Sequence, residues 1–265
     1  MRMLLGTSAE GREIPAFANF LPGESADHPK STLLIGGTHG DERATVSILE
    51  SFVRLRLDKG SLAAPAAVIP LLNPDGFARN SRYNGKGVDL NRNFPHNWSP
   101  NADEPSGERP LSEPEARHLH SFILAFRPAK IISLHWALSE IDADGIQSAH
   151  LARRMWEALE EEERKPYRLR VQTQGSEGGC PGSLGQWCGH GLQYPGGRRP
   201  AMVTLELPYH PHRHLRPEEL PESHLSSVRA LWESKPHEYL AGVEDGVHRV
   251  LAAACHLEHG PAASR

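Results

Sequence analysis

The sequence predicts an α/β fold: a mixed β-sheet flanked by helices, in a single domain covering residues 1–265. Three observations point there. Short apolar runs ended by glycine or proline recur along the chain, as buried strands do. Segments with helical apolar spacing lie between them, and strands separated by helices favour a sheet with helices on its faces. No internal repeat, low-complexity stretch or linker interrupts the series.

Residues 1–30 read as a hairpin-like entry, with turn signals at 8–11 and 22–23. STLLIGG (31–37) is a short apolar run closed by glycines and predicts a buried strand. Residues 42–57 predict a helix, with Val46, Leu49, Phe52 and Val53 on one face. AAVIPLLNPDG (66–76) predicts a second strand running into a turn. Residues 77–112 are polar and rich in Asn, Arg, Pro and Gly; a loop that long inside a compact domain is usually functional or disordered. LSEPEARHLHSFILAF (111–126) predicts a capped helix, with Ser112 as the cap, Pro114 in the first turn and Glu115 three residues after Ser112. KIISLH (130–135) predicts a third buried strand and HLARRMWEALEEEERK (150–165) a helix. YRLRVQT (167–173) and AMVTLELP (201–208) predict further strands, and 216–257 is mainly helical in pattern.

The balance of residues excludes several classes of function. With 38% apolar and 23% charged residues the chain is an ordinary globular protein. A formal charge of −4 provides no basic face for nucleic acid or acidic lipid. No run is long enough to span a bilayer, and the N-terminus lacks the apolar core of a signal peptide. Three cysteines make no disulfide framework, so a reducing cytoplasm is the expected compartment. Oligomeric state is not legible.

GGTHGDERA (36–44) sits where a buried strand turns into a helix. It reads as a polar turn with acids at a helix start, as a phosphate-cradling loop, or as half of a metal site. The phosphate reading fails, because no Gly-Lys-Ser/Thr follows and two acids would repel phosphate. His39 and Glu42, three residues apart, suit zinc if a third ligand joins them. SLHW (133–136) offers His135 at the C-terminal end of a buried strand, the sheet edge where ligands collect. LELP (205–208) buries Glu206 between leucines, and an unpaired carboxylate there is costly. It therefore needs a cation, a metal-bound water or solvent. Arg79, Arg82 and Arg92, with asparagines around them, could fork a carboxylate or belong to a solvated loop.

Taken in order, GTHGDE, NPDG, GVDLNRNFP, LSEPE, SLH and LELP resemble the zinc carboxypeptidase family over about residues 31–208. The resemblance implies a carboxypeptidase-like fold, a Zn2+ cofactor held by His39, Glu42 and His135, and Glu206 as general base. It also implies that Asn91 and Arg92 hold a substrate carboxylate and that Arg82, with Arg79 as the fallback, polarises the scissile carbonyl. Within the family the likeness is to the bacterial murein tripeptide amidases, carried by PGSLGQWC (181–188) before the TLELP strand. The implied substrate is a small murein-derived peptide cut at its γ-D-glutamyl–diaminopimelate bond.

Two departures stand against that pattern. GSEGGC (175–180) lacks the tyrosine that digestive carboxypeptidases carry, and Trp136 follows His135 where something smaller is expected. A zinc deacylase of N-acyl amino acids, resembling succinylglutamate desuccinylase and aspartoacylase, is an alternative. So is a silent metal-binding module whose cleft Trp136 narrows. His210, His212 and His214 read as a solvated loop, and Cys180 and Cys188 as small buried thiols that pair only if their geometry allows it. Arg198 and Arg199 read either as a second carboxylate clamp or as a turn closure.

Overall fold

The structure, a computed structural model, describes residues 1–21, 27–172, 180–208 and 236–259. Eight strands form one mixed sheet: β1 (Arg2–Thr7), β2 (Glu13–Ala18), β3 (Thr32–Ile35), β4 (Ala66–Ile69), β5 (Lys130–Trp136), β6 (Glu140–Asp144), β7 (Arg168–Gln172) and β8 (Ala201–Leu207). Their order across the sheet is β1-β2-β4-β3-β5-β8-β6-β7. The central strands β4, β3, β5 and β8 run parallel. The β1–β2 hairpin joins β4 antiparallel, and β6 joins β8 antiparallel.

The helices are α1 (Arg43–Phe52), α2 (Pro74–Arg79), α3 (Pro114–Phe126), α4 (Ala149–Ala158), α5 (Glu161–Arg164), α6 (Leu184–Gln186) and α7 (Pro236–His256). Strand alternation sends Leu34, Ile132, Leu134, Val203 and Leu205 to one face, where α1, α4 and α7 cover them. It sends Leu33, Ile35, Ile131 and Met202 to the other, under α3 and the 184–192 segment. Lys130, fully buried at the start of β5, donates through Nζ to the carbonyls of Ala254 (2.6 Å) and Leu257, near the end of α7. Burial pushes its pKa down to about 8.

Several expectations need correction. NPDG opens a short helix rather than a simple turn, because the Asn73 side chain accepts from Gly76 N (2.9 Å) and Pro74 takes a first-turn position. Ser112 does not cap α3; its hydroxyl donates to Glu113 (2.8 Å), and Glu113 holds the cap position. The 150–165 helix breaks at Leu159, whose ψ of 145° is extended. β6 and the helical turns at 184–191 were not expected. Of the 216–257 helical stretch, 236–256 is helix and the residues before it lie outside the described ones, as do His210, His212 and His214.

Candidate active site

The C-terminal ends of the parallel strands β3, β5 and β8 meet at one edge of the sheet. After β3 the chain turns through 36–42 into α1. Thr45 staples that turn, its hydroxyl donating to the Glu42 carbonyl (2.7 Å) and accepting from Gly37 N (3.0 Å). Gly40 is packed on the α2 backbone: a Cβ there would lie 2.0 Å from the Gly76 carbonyl carbon. Thus GTHGDE and NPDG occur together because one lies on the other. Asn73 completes the bracket by donating to the Thr38 and Arg82 carbonyls.

This corner aims His39 and Glu42 at His135, the sixth residue of β5. The three are buried and their ligand atoms lie within 4.8 Å of one another. His39 Nδ1 is 2.7 Å from Glu42 Oε1 and 3.3 Å from His135 Nδ1, and His135 Nδ1 is 3.1 Å from Glu42 Oε2. Glu42 occupies the helix-start position but makes no side-chain cap, so the helix-capping reading of this acid fails.

The arrangement fits a zinc ion. Tetrahedral coordination with bonds of about 2.0–2.1 Å separates ligand atoms by about 3.3 Å, close to these spacings. Glu42 Oε2 is a buried oxygen with no well-aligned hydrogen bond, only the 3.1 Å approach of His135 Nδ1, and a cation would satisfy it. Burial opposes charge on Glu42 and His39, yet the neighbouring opposite charges prevail. His39 and His135 hold the Glu42 carboxyl down to about 2, while Glu42 and Asp89 push the His39 imidazole up to about 10. His39 would have to give up a proton to ligate a metal here.

Asp89 is the hub that the sequence reading missed. Fully buried, it accepts from His39 Nε2 (3.1 Å), from Arg82 Nε (3.0 Å) and from the Asn91 backbone (2.8 Å). Arg82 Nη2 also approaches it to 2.7 Å, and Arg92 Nη1 to 4.0 Å. The Nε2 contact fixes the ring so that Nδ1 faces Glu42 and His135, and a neutral His39 would present its Nδ1 lone pair to a metal held there. The available signal was a single acid between the apolar Val88 and Leu90 in GVDLNR.

The other expected residues sort clearly. Arg82 Nη1 lies 3.4 Å from His39 Nδ1, whereas Arg79 is exposed and turned towards Glu10. Glu206 pairs in register with His135, so both project from the same sheet face. Its Oε2 accepts from Leu138 N (3.3 Å). Burial, with Glu42 nearby, pushes its carboxyl up to about 7 despite the histidines. Asn91 lines the same cleft of about 150 Å³ as Glu206, with Asp142, Asp144 and Arg170 beyond them. Arg92 is buried and is gripped by Asp103.

Three further expectations resolve here. Trp136 does not narrow the cleft: alternation turns it to the opposite face, where it packs on Tyr239 (5.0 Å) and donates to the Pro208 carbonyl. Arg198 and Arg199 lie before β8, at its far end from Glu206. They bind Asp27, the Arg127 carbonyl and the His190 carbonyl, and so close a turn. Cys180 and Cys188 are both free; Cys188 is buried as expected, whereas Cys180 is exposed. Most of GSEGGC, where a tyrosine was missed, lies outside the described residues.

The zinc carboxypeptidase (peptidase M14) family profile matches residues 1–139, and murein peptide amidase A of Escherichia coli K12 is 34% identical over 200 residues, covering 69% of this chain and 76% of that one. The chain belongs to the zinc carboxypeptidase family. Among solved members, the murein-tripeptide amidase MpaA from Escherichia coli O157 superposes with a TM-score of 0.56 at 28% identity, over 87% of this chain and 90% of that one. Carboxypeptidase A from Helicoverpa armigera matches with a TM-score of 0.66 at 20% identity, over 96% of this chain and 68% of that one, and shares the fold. As a zinc carboxypeptidase-like protein the chain is a metal-dependent amide hydrolase. Among the described residues no helix is long and apolar enough to cross a membrane.

Proposed function

We propose that this protein is a zinc amidase that cuts the γ-D-glutamyl–diaminopimelate bond of small murein-derived peptides in the cytoplasm. The observation that carries the chemistry is the buried His39–Glu42–His135 group with Glu206 in register beside it. The substrate class is drawn from the 34% identity to murein peptide amidase A.

In this reading His39, Glu42 and His135 hold the zinc. When bound, the ion supplies Lewis acidity that makes water nucleophilic near neutral pH. Glu206, poised near neutrality by burial, takes a proton from the attacking water and delivers it to the departing amine. Arg82 faces the developing negative charge on the scissile carbonyl oxygen, a role typically worth a few kcal/mol. Arg92 and Asn91 grip the carboxylate beyond the scissile bond and fix the register. Asp89 orients His39 and Arg82 together.

Three substrates separate this reading from its rivals: L-alanyl-γ-D-glutamyl-meso-diaminopimelate, a panel of C-terminal α-peptides, and N-acyl amino acids. The tripeptide should be cleaved to diaminopimelate and dipeptide, with activity removed by a chelator and restored by zinc. The His39→Ala/His135→Ala double variant should lose stoichiometric zinc. Turnover confined to N-acyl amino acids would assign a deacylase instead, and no turnover by zinc-loaded protein would leave a silent module.

A further inference from the structure

Between Trp98 and Ser106 the chain makes a compact excursion whose ends are tied together. Ser106 Oγ donates to the Ser99 carbonyl (2.8 Å), and Trp98 Nε1 and Asn93 Nδ2 both donate to the Ser106 carbonyl (3.1 and 2.7 Å). The Pro105 carbonyl accepts from the backbone of Asp89 (2.8 Å). From this clipped base two consecutive acids reach the two arginines given to the substrate above. Asp103 takes Arg92 edge-on, Nε to Oδ1 at 3.0 Å and Nη2 to Oδ2 at 3.3 Å. Glu104 accepts from the Tyr83 hydroxyl (2.7 Å) and lies 3.7 Å from Arg82 Nε.

The two partners of the Asp103–Arg92 pair are unlike. The Arg92 side chain is 5% exposed and also lies 4.0 Å from the buried Asp89, whereas that of Asp103 is 68% exposed. The cation is fixed within the protein, and the carboxylate reaches it from the solvent side. A two-point fork of this kind is how a guanidinium holds a carboxylate ligand.

We propose that Asp103 is an internal competitor for substrate: it fills the guanidinium fork of Arg92 that the substrate's carboxylate must take. The 99–106 loop therefore sets how tightly the site holds a carboxylate. The inference rests on the reading of Arg92 as the carboxylate anchor. Because Asp103 reaches Arg92 from solvent, the pair holds weakly, and the competition costs the ligand roughly two- to fivefold in affinity.

Asp103→Asn, Arg92→Ala and the double variant test it, in two assays. One is steady-state cleavage of the tripeptide by the zinc-loaded enzyme, and the other is calorimetric titration of the metal-free protein with meso-diaminopimelate. Asp103→Asn should lower KM and Kd roughly two- to fivefold, with kcat changed less than about twofold. Arg92→Ala should raise both constants by more than about tenfold, and in that background Asp103→Asn should change nothing. An Asp103→Asn variant with unchanged or raised KM and Kd, beside a crippled Arg92→Ala, overturns the competitor and leaves the anchor standing. An Arg92→Ala variant with wild-type KM and Kd overturns both.

Discussion

The two faces of the β5–β8 strand pair are made from alternate residues of the same two strands, and they have opposite characters. Ile132, Leu134 and Trp136, with Val203, Leu205 and Leu207, lie in a continuous apolar core. On the other face, beyond the apolar Ile131 and Met202, the strand ends carry Ser133, His135, Thr204 and Glu206, of which Thr204 and Glu206 line the cleft. Neighbours in sequence therefore do unrelated work: Trp136 packs on Tyr239 of the last long helix, while His135 joins the group that could hold a metal ion. Chemistry and stability are separated here by the two-residue period of a strand rather than by distance along the chain.

The sharpest way to break this comparison is Glu206→Gln. It should lower kcat by roughly a thousandfold, the scale of a lost general base, with zinc content and melting temperature unchanged. Near wild-type turnover would remove Glu206 from the chemistry. One residue away, Leu205→Ala empties fully packed space on the other face. It should cost about 2–5 kcal/mol in denaturant unfolding, while kcat of the folded protein stays within about twofold. A large kcat loss at full stability would show that the faces are coupled.

The smallest effect belongs to Asp144, buried on the polar face, where its carboxyl accepts from the Thr204 hydroxyl (2.8 Å). Burial, with Asp142 beside it, pushes its pKa up to about 7 from the ordinary 3.8. An unfolded chain releases this proton first, so the penalty on folding grows as pH rises from 3.8 to about 7 and stays constant above that. Asp144→Asn removes it. The variant should melt a few degrees above wild type at pH 8 and together with it near pH 3.5. Equal melting at pH 8 would show that Asp144 is ionised without cost.

Much of the site was legible because it falls where short apolar runs end. The runs before His39 and His135 and around Glu206 announce buried strands, and a polar residue at such an edge needs a reason. β6 was not legible because EIDAD alternates isoleucine and alanine with aspartates, which are depleted in strands. Those aspartates survive there because their face lines the cleft. Asp89 was hidden for a related reason: its three partners come from positions 39, 82 and 91, and no local pattern reports a hub. The 184–191 turns were missed because, beyond the Ser183 cap on Gln186 N, they are held by distant partners: the Asn91 side chain, the Phe94 backbone and Gln147. Gly182, at φ +70°, sits where a Cβ would come 2.3 Å from the Arg92 carbonyl oxygen.

Lys130 joins the first residue of a central strand to carbonyls that lie 124 and 127 positions further along the chain. During synthesis, then, the part of the sheet's apolar face that α7 covers stays exposed until Pro236–His256 has left the ribosome. A nascent chain halted before that point would carry a greasy sheet surface and a buried-type ammonium with no carbonyls to receive it. Such a chain is a client for chaperones or proteases rather than a slow enzyme.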